Sequence, residues 1–266
     1  MISVAKNELI VLQFDNLNRF PELLHFSSTR GGGCSSENYS SLNLGFNSGD
    51  FPENIIANRI KLCNTLEINP THLVFPKQTH SATVKTINQG YFDLCEEDRK
   101  RFINETDALI ANQKGVCVAI KTADCVPVLL FDRKQKVIAA IHAGWRGTVQ
   151  NIVSMTIHKM AEEFGTKSAD LFVGIGPSIS PMIYEVGEEV WNRFAPEFYE
   201  PTSLDKPDKR LLDLWNANFH QLKMAGVPEN QIETATICTF SNSDRFFSAR
   251  RDGAKTGRMA TGIMIR

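Results

Sequence analysis

Two histidines and one cysteine stand where side chains can do chemistry: His80 closing Lys77-Gln78-Thr79-His80, Cys125 closing Thr122-Ala123-Asp124-Cys125, and His142 opening His142-Ala143-Gly144-Trp145-Arg146-Gly147. Imidazole nitrogen and thiolate sulfur are ligands that zinc favours, and a catalytic site keeps three protein ligands and one open position. Two neutral imidazoles and a thiolate leave the ion at a net charge of about +1, which holds an anion or acidifies a bound water toward a pKa of about 7. Spacing alone leaves another reading open, a core cysteine and two hydrogen-bonded histidines, because these ligands must meet through the fold. A third reading needs no metal: Cys125 and His142 as a nucleophile–base pair of a hydrolase.

The remaining candidates are few. The chain has six histidines. His158 and His220 fall in helical patterns and His72 in a loop, which leaves His25 as the other histidine in a motif-like setting. No His-x-His pair exists, so the sequence lacks the paired histidines of a trinuclear copper cluster, although one cysteine and two histidines suffice for a single copper. The six cysteines form no CxxC pair, and a chain of this length is no small disulfide scaffold, so free thiols are expected. Cys117 is the one cysteine that could close the site into a structural four-ligand centre.

Polar neighbours suggest supporting roles. Asp124 is read as a general acid or base, or as an acceptor that orients a histidine. Arg30, followed by Gly31-Gly32-Gly33, offers a guanidinium beside backbone that can bend around an anion. Arg146 is placed to meet substrate anions, and Trp145 to stack or to fill the core beneath its loop.

These residues need a rigid frame. Gly115–Lys121, Val126–Asp132 and Val137–Ile141 are strand-like apolar runs, the last two joined by a polar turn as in a hairpin. From Val149 to Phe164 the apolar residues take helical spacing, and Gly165 suits the C-terminal cap. His142 therefore sits where a strand gives way to a helix. Further along, Leu171–Gly174, Ile232–Cys238 and Met259–Ile265 read as strands and Leu211–Ala225 as a helix closed by Gly226. The charged stretch Glu96–Arg101 and the segment Pro201–Arg210 read as exposed connections. Strands outnumber helices without a regular βαβ alternation. The expected class is α+β, one domain over residues 1–266 with mixed β-sheets packed against flanking helices.

Composition limits the partners. With 266 residues and 42% apolar residues the chain can build a full core. A net charge of −1 offers no basic surface for nucleic acid or an anionic membrane, so a small molecule is the expected ligand. No window reaches the roughly 18 apolar residues of a membrane span, and the N-terminus MISVAKNELIVLQF lacks a signal-peptide core, which points to the cytoplasm.

The sequence resembles the laccase-domain family, also described as polyphenol oxidoreductase-like or purine nucleoside phosphorylase-like proteins. The likeness runs almost end to end. It is carried by Ser28-Thr29-Arg30-Gly31-Gly32, Ser41-Leu42-Asn43-Leu44-Gly45, Asn58-Arg59, the three segments quoted above, Gly174-Ile175-Gly176-Pro177, Tyr184-Glu185-Val186-Gly187, Cys238-Thr239 and Phe247-Ser248-Ala249-Arg250-Arg251-Asp252-Gly253. Ala249 stands where the family often has tyrosine. The resemblance implies catalytic zinc on His80, Cys125 and His142, and adds Asn43 and Arg59 to Arg30 and Arg146 as substrate or phosphate ligands. It implies phosphorolysis of adenosine, inosine, guanosine or methylthioadenosine, with purine nucleoside and phosphate as partners and adenosine deamination as a further activity. Expected alternatives are hydrolysis of a peptidoglycan-precursor amide and copper-dependent polyphenol oxidation. The expected assembly is a monomer or small homo-oligomer.

Overall fold

Apolar residues fill almost every position of Val126–Asp132 and Val137–Ala143 because both faces of these strands are covered. They form the expected antiparallel hairpin, with Val126 opposite Ala143 and Pro127 opposite His142. The computed structural model describes residues 1–203 and 205–266, and among these it contains fifteen strands and eight α-helices, an α+β architecture.

Two six-stranded sheets form the centre. The first runs β1 (Ile2–Lys6), β2 (Leu9–Gln13), β3 (Leu23–Ser28), β15 (Met259–Ile265), β7 (Cys117–Thr122) and β4 (Leu73–Val74). The second runs β14 (Ile232–Thr234), β10 (Leu171–Ile175), β8 (Val126–Asp132), β9 (Val137–Ala143), β6 (Ala108–Ala111) and β5 (Val84–Ile87). Both are mixed: β4 and β7 pair in parallel, as do β5 with β6 and β10 with β14, within otherwise antiparallel ladders. A small antiparallel sheet joins β11 (Glu185–Val186), β13 (Arg210–Leu212) and β12 (Tyr199–Pro201).

The side-chain period of two sorts the core into layers. Along β7, Val118 and Ile120 point into the cluster between the sheets with Leu129, Phe131 and Ile263, while Cys117 and Ala119 point outward to Leu62 and Leu66 of helix α1 (Pro52–Leu66). Along β8 and β9, Val128, Leu130, Ala139 and Ile141 face away from the first sheet, toward Val153, Ile157 and Met160 of α5 (Ile152–Phe164) and Leu214 and Leu222 of α7 (Leu214–Met224). The order is helix, sheet, sheet, helix. Each fully buried Leu or Ile of these layers contributes roughly 1.5–3 kcal/mol of transfer free energy.

Several boundaries differ from the sequence reading. The helix expected over Val149–Phe164 starts three residues later, as α5; Val149 instead ends a separate short helix, α4 (Trp145–Val149), and Asn151 at φ 59° divides the two. Gly165 does close α5 with φ 68°. The Glu96–Arg101 stretch is an exposed helix, α3 (Glu96–Phe102), with acidic residues in its first turn and basic ones in its last, the order that complements the helix dipole. Helix α7 starts at Leu214, where the Asp213 side chain accepts from the N–H of Asn216, and Leu211–Leu212 belong to β13 instead. Strand β14 stops at Thr234, short of Cys238. The Pro201–Arg210 connection links β12 to β13, and its Leu204 lies outside the described residues.

Candidate metal centre

The sheet packing brings one end of β7, β8 and β9 together with the loop before β5, and the three predicted ligands meet there. The ligand atoms of His80, Cys125 and His142 all lie within 4.8 Å of one another. The two imidazole rings meet edge to face, with centroids 4.9 Å apart. His142 is buried, Cys125 half-buried and His80 exposed, so the group opens on the His80 side.

The donor set fits a single ion. Zinc binds nitrogen at about 2.0–2.1 Å and sulfur at about 2.3 Å. Space is kept for it: a Cβ on Gly144 would stand 3.0 Å from the Cys125 sulfur and 3.1 Å from Cδ2 of His80. Cys117 is not a fourth ligand. It is fully buried on the outer face of β7, among Leu62, Leu66 and Met264, and burial pushes its thiol pKa up.

One acid organises both histidines. Asp107 precedes β6 and is fully buried. Its Oδ1 lies 2.7 Å from Nδ1 of His142 and accepts from the backbone N–H of His80 at 3.0 Å. Its Oδ2 accepts from the N–H and Oγ of Ser81 at 2.8 and 2.7 Å. Its own carbonyl accepts from the N–H of His142 at 2.8 Å. With Nδ1 occupied, Nε2 of His142 is left for the ion. The same contacts hold His80 at φ 63°, a conformation a non-glycine residue adopts only where its surroundings impose it.

The electrostatics prepare a thiolate. Burial opposes ionisation of Cys125, but the charge of His142 and hydrogen bonds from His142 and His80 outweigh it and bring the thiol down to about 6. Burial likewise disfavours charge on His142, yet Cys125 and Asp107 raise it to about 9. Asp107 falls to about 2 despite burial, through the hydrogen bond and charge of His142 and the Ser81 contacts.

Of the two roles expected for Asp124, the structure does not bear out the orienting one. It does not orient a histidine; Asp107 does. Both Asp124 oxygens are engaged elsewhere, Oδ1 by the Thr239 hydroxyl at 2.7 Å and Oδ2 by the Ser248 hydroxyl at 3.0 Å and the Arg250 N–H at 2.7 Å. It thereby ties the turn before β8, where it sits at φ 91°, to helix α8 (Ala249–Asp252) across the cavity.

The cavity above the three ligands measures about 500 Å³ and is also lined by Gln78, Lys121, Tyr184, Ala249, Arg250 and Arg258. Arg250 lies over the Tyr184 ring at 5.1 Å and donates to the Glu185 carbonyl. Burial, with the charge of Cys125, pushes the Tyr184 phenol up. Asp107 and Lys121 were missed as site residues in the sequence. A lysine within the otherwise buried run Cys117–Thr122 was a usable signal, since lysine is almost never fully buried unless paired. Asp107 carried none.

The other predicted ligands lie apart from the three. Arg30 donates to the carbonyls of Ser40 and Ser243 and stacks 4.6 Å from the centroid of Phe247. Asn43 is fully buried; it donates to Ser48 and Asp50 and accepts from the N–H groups of Gly45 and Arg258. Arg59 donates twice to the Leu44 carbonyl and lies between Phe46 and Phe75. Arg146 is exposed and rests on the Trp145 ring at 4.2 Å. His25 is a core residue: Nε2 accepts from the Phe14 N–H at 2.9 Å, and burial lowers its pKa to about 4.

Comparison with known proteins follows the same lines. The family model described as multi-copper polyphenol oxidoreductase laccase matches residues 24–266. The chain belongs to this family. A relative from Bacteroides thetaiotaomicron, named purine nucleoside phosphorylase, is 43% identical over 100% of this chain and 99% of its own. The adenosine deaminase RL5, from an unknown prokaryotic organism, is 34% identical over 90% of this chain and 92% of its own. Among solved structures, YlmD from Geobacillus stearothermophilus superposes with a TM-score of 0.89 at 29% identity, covering 99% of this chain and 98% of that one. No helix among the described residues is long and apolar enough to cross a membrane.

Proposed function

We propose that the chain is a zinc-dependent purine nucleoside phosphorylase acting on adenosine, inosine, guanosine or methylthioadenosine, with deamination of adenosine as a second activity. One observation carries the reading: a His–Cys–His group opens into a cavity lined by the cations Lys121, Arg250 and Arg258. The relatives' names support it, one as a purine nucleoside phosphorylase and one as an adenosine deaminase. We infer a cytoplasmic enzyme, a monomer or small homo-oligomer.

Phosphorolysis breaks the bond between the anomeric carbon and a purine nitrogen and forms a bond from that carbon to a phosphate oxygen. The departing purine keeps the electron pair and takes up a proton. His80, Cys125 and His142 would hold the zinc, which when bound supplies positive charge for developing negative charge. Lys121, Arg250 and Arg258 balance the phosphate dianion, the work that preorganised cations do in phosphoryl and glycosyl transfer. Tyr184 and Arg250 form the wall against which a base can lie. Asp124, saturated by Thr239, Ser248 and Arg250, is assigned to holding that wall rather than to moving a proton. Arg146, close enough to Tyr184 for its charge to be felt there, is assigned to anions at the rim. Arg30 and Asn43 are assigned to loop structure.

Zinc is preferred to copper because the chain has six histidines with no His-x-His pair, and a four-copper relay needs more. The test is incubation of the zinc-loaded protein with adenosine or inosine, with and without phosphate. Phosphate-dependent release of free base and pentose 1-phosphate is expected, and an intact nucleoside pool overturns the proposal.

A second reading rests on a specific observation. Cys125, His142 and Asp107 also form a thiolate–imidazole–carboxylate chain, the geometry of a cysteine hydrolase acting on an amide such as that of a peptidoglycan precursor. His80 separates the two, because a hydrolase triad survives its loss and a three-ligand zinc site does not.

A further inference from the structure

Strand β4 pairs with β7 only along Leu73–Val74, opposite Cys117–Val118. Past Val118, β7 is the edge of its sheet among the described residues, and the backbone groups of Lys121 on that side have no strand to meet. Gln78 meets them instead. Its Nε2 donates to the Lys121 carbonyl at 2.7 Å, and its Oε1 accepts from the Lys121 N–H at 2.9 Å. A primary amide carries the donor and acceptor of a peptide group, so one side chain stands in for the missing strand. Two bonds to one residue fix direction as well as distance. The Lys121 ammonium adds a third tie, donating to the Pro76 carbonyl at 2.7 Å.

Gln78 lies two residues before His80, in the connection between β4 and β5. The rest of this connection is held from another side. The Lys77 N–H donates to the Ile103 carbonyl at 3.0 Å, and the Lys77 carbonyl accepts from the Thr106 N–H at 3.3 Å. Asp107 accepts from the N–H groups of Thr79, His80 and Ser81 at 3.2, 3.0 and 2.8 Å. Those bonds tie the connection to the residues before β6 and, through Asp107, to His142. None of them reaches Cys125. Strand β7 does: it ends at Thr122, and the turn Ala123-Asp124-Cys125 follows directly. Two separate struts therefore hold the three donor groups. Asp107 spans His80 and His142, and the Gln78 amide spans His80 and the strand that leads into Cys125.

We propose that Gln78 is a positioning residue of the metal centre, whose amide latch on Lys121 sets the separation between His80 and Cys125. It acts through the main chain at both of its ends. This assignment rests on the metal reading and on no particular reaction.

The test is a double-mutant cycle in the full chain, with Q78A, H80A and the Q78A/H80A pair. Zinc affinity is read by chelator competition, and the cobalt-loaded protein supplies an absorption spectrum. Q78A is expected to weaken zinc about tenfold, within the range for groups that orient metal ligands. Its thiolate-to-cobalt band, which reports Cys125, should persist, while the ligand-field bands move toward those of H80A. In the H80A background Q78A should cost less than about twofold, because no His80 imidazole is left to misplace. Q78M, of similar length but with no amide, should repeat the Q78A result. It replaces Q78A in the cycle if the shorter side chain prevents folding, which urea midpoints of the metal-free proteins check. Zinc affinity unchanged in both Gln78 variants overturns the latch. So do losses that multiply in the double variant, since Gln78 is then a general support of the fold. A native chain that takes up neither zinc nor cobalt overturns the metal reading and the latch with it. A native chain that binds both, with the Gln78 variants unaffected, overturns the latch alone.

Discussion

The Asp107 carboxylate lies 2.7 Å from Nδ1 of His142, and the same oxygen accepts from the backbone N–H of His80. A single buried acid therefore sets the orientation of one imidazole and the backbone of the other. Asp107→Asn keeps the shape but replaces a charged acceptor and presents an amide that can turn a donor toward His142. Zinc affinity is expected to fall about 10–100-fold, the usual consequence of removing a partner of a metal-bound histidine. A fluorescent chelator competition reads this directly. Unchanged affinity would mean that the sheet alone positions His142.

The three ligands should fail together. Alanine at His80, Cys125 or His142 is expected to abolish stoichiometric zinc by elemental analysis and to reduce nucleoside cleavage to background. Chelation of the native protein should lower its melting temperature, because an ion that binds only the folded state stabilises it by mass action. Activity retained by His80→Ala alone would favour the Cys125–His142 hydrolase.

Gly144 has φ −72° and ψ 171°, a backbone any residue tolerates. An added methyl would nevertheless press on the Cys125 sulfur and the His80 ring. Gly144→Ala is expected to destabilise by about 1–3 kcal/mol, as overpacking does, and to weaken zinc binding at least tenfold. Denaturant unfolding with zinc competition on the same sample checks both. A neutral outcome in both would show that the ligands move aside freely.

His25 makes the fold acid-sensitive. Its folded pKa of about 4 lies below its ordinary 6.5, so the unfolded chain binds more protons between these values. Its contribution is fully present above about pH 6.5 and is lost as the pH falls through 4, by about 3 kcal/mol in all. His25→Gln, which can still accept from the Phe14 N–H, should flatten the urea-midpoint profile between pH 4 and 6.5. An identical slope in the variant would place the acid sensitivity elsewhere.

Local features were legible in residues 115–143. Apolar runs bounded by polar turns specify strands, and the Val126–Asp132 and Val137–Ala143 hairpin follows from a short connection. The helix boundary at Asn151 was not legible, since the apolar period runs through it and only the left-handed residue breaks it. The strand ending at Thr234 rather than Cys238 reflects pairing with β10, which extends only to Ile175.

The sequence by itself supplied the donor atoms and, through the motifs that carry the family resemblance, implied His80, Cys125 and His142 as the trio; their residue types and spacing alone left a hydrogen-bonded core reading open. Their meeting was decided by the tertiary structure. The strands that carry Cys125 and His142 pair locally, but His80 arrives through Asp107, whose backbone and side chain both grip residues far away in the chain. Asp124 and Asp107 are both turn aspartates next to apolar runs, and nothing in their local sequence tells which one will face a histidine. The task fell to Asp107 because the pairing of β6 with β9 places it beside His142, whereas Asp124 turns toward Ser248 and Thr239. Long-range register has no local signature, and it is register that chose the acid.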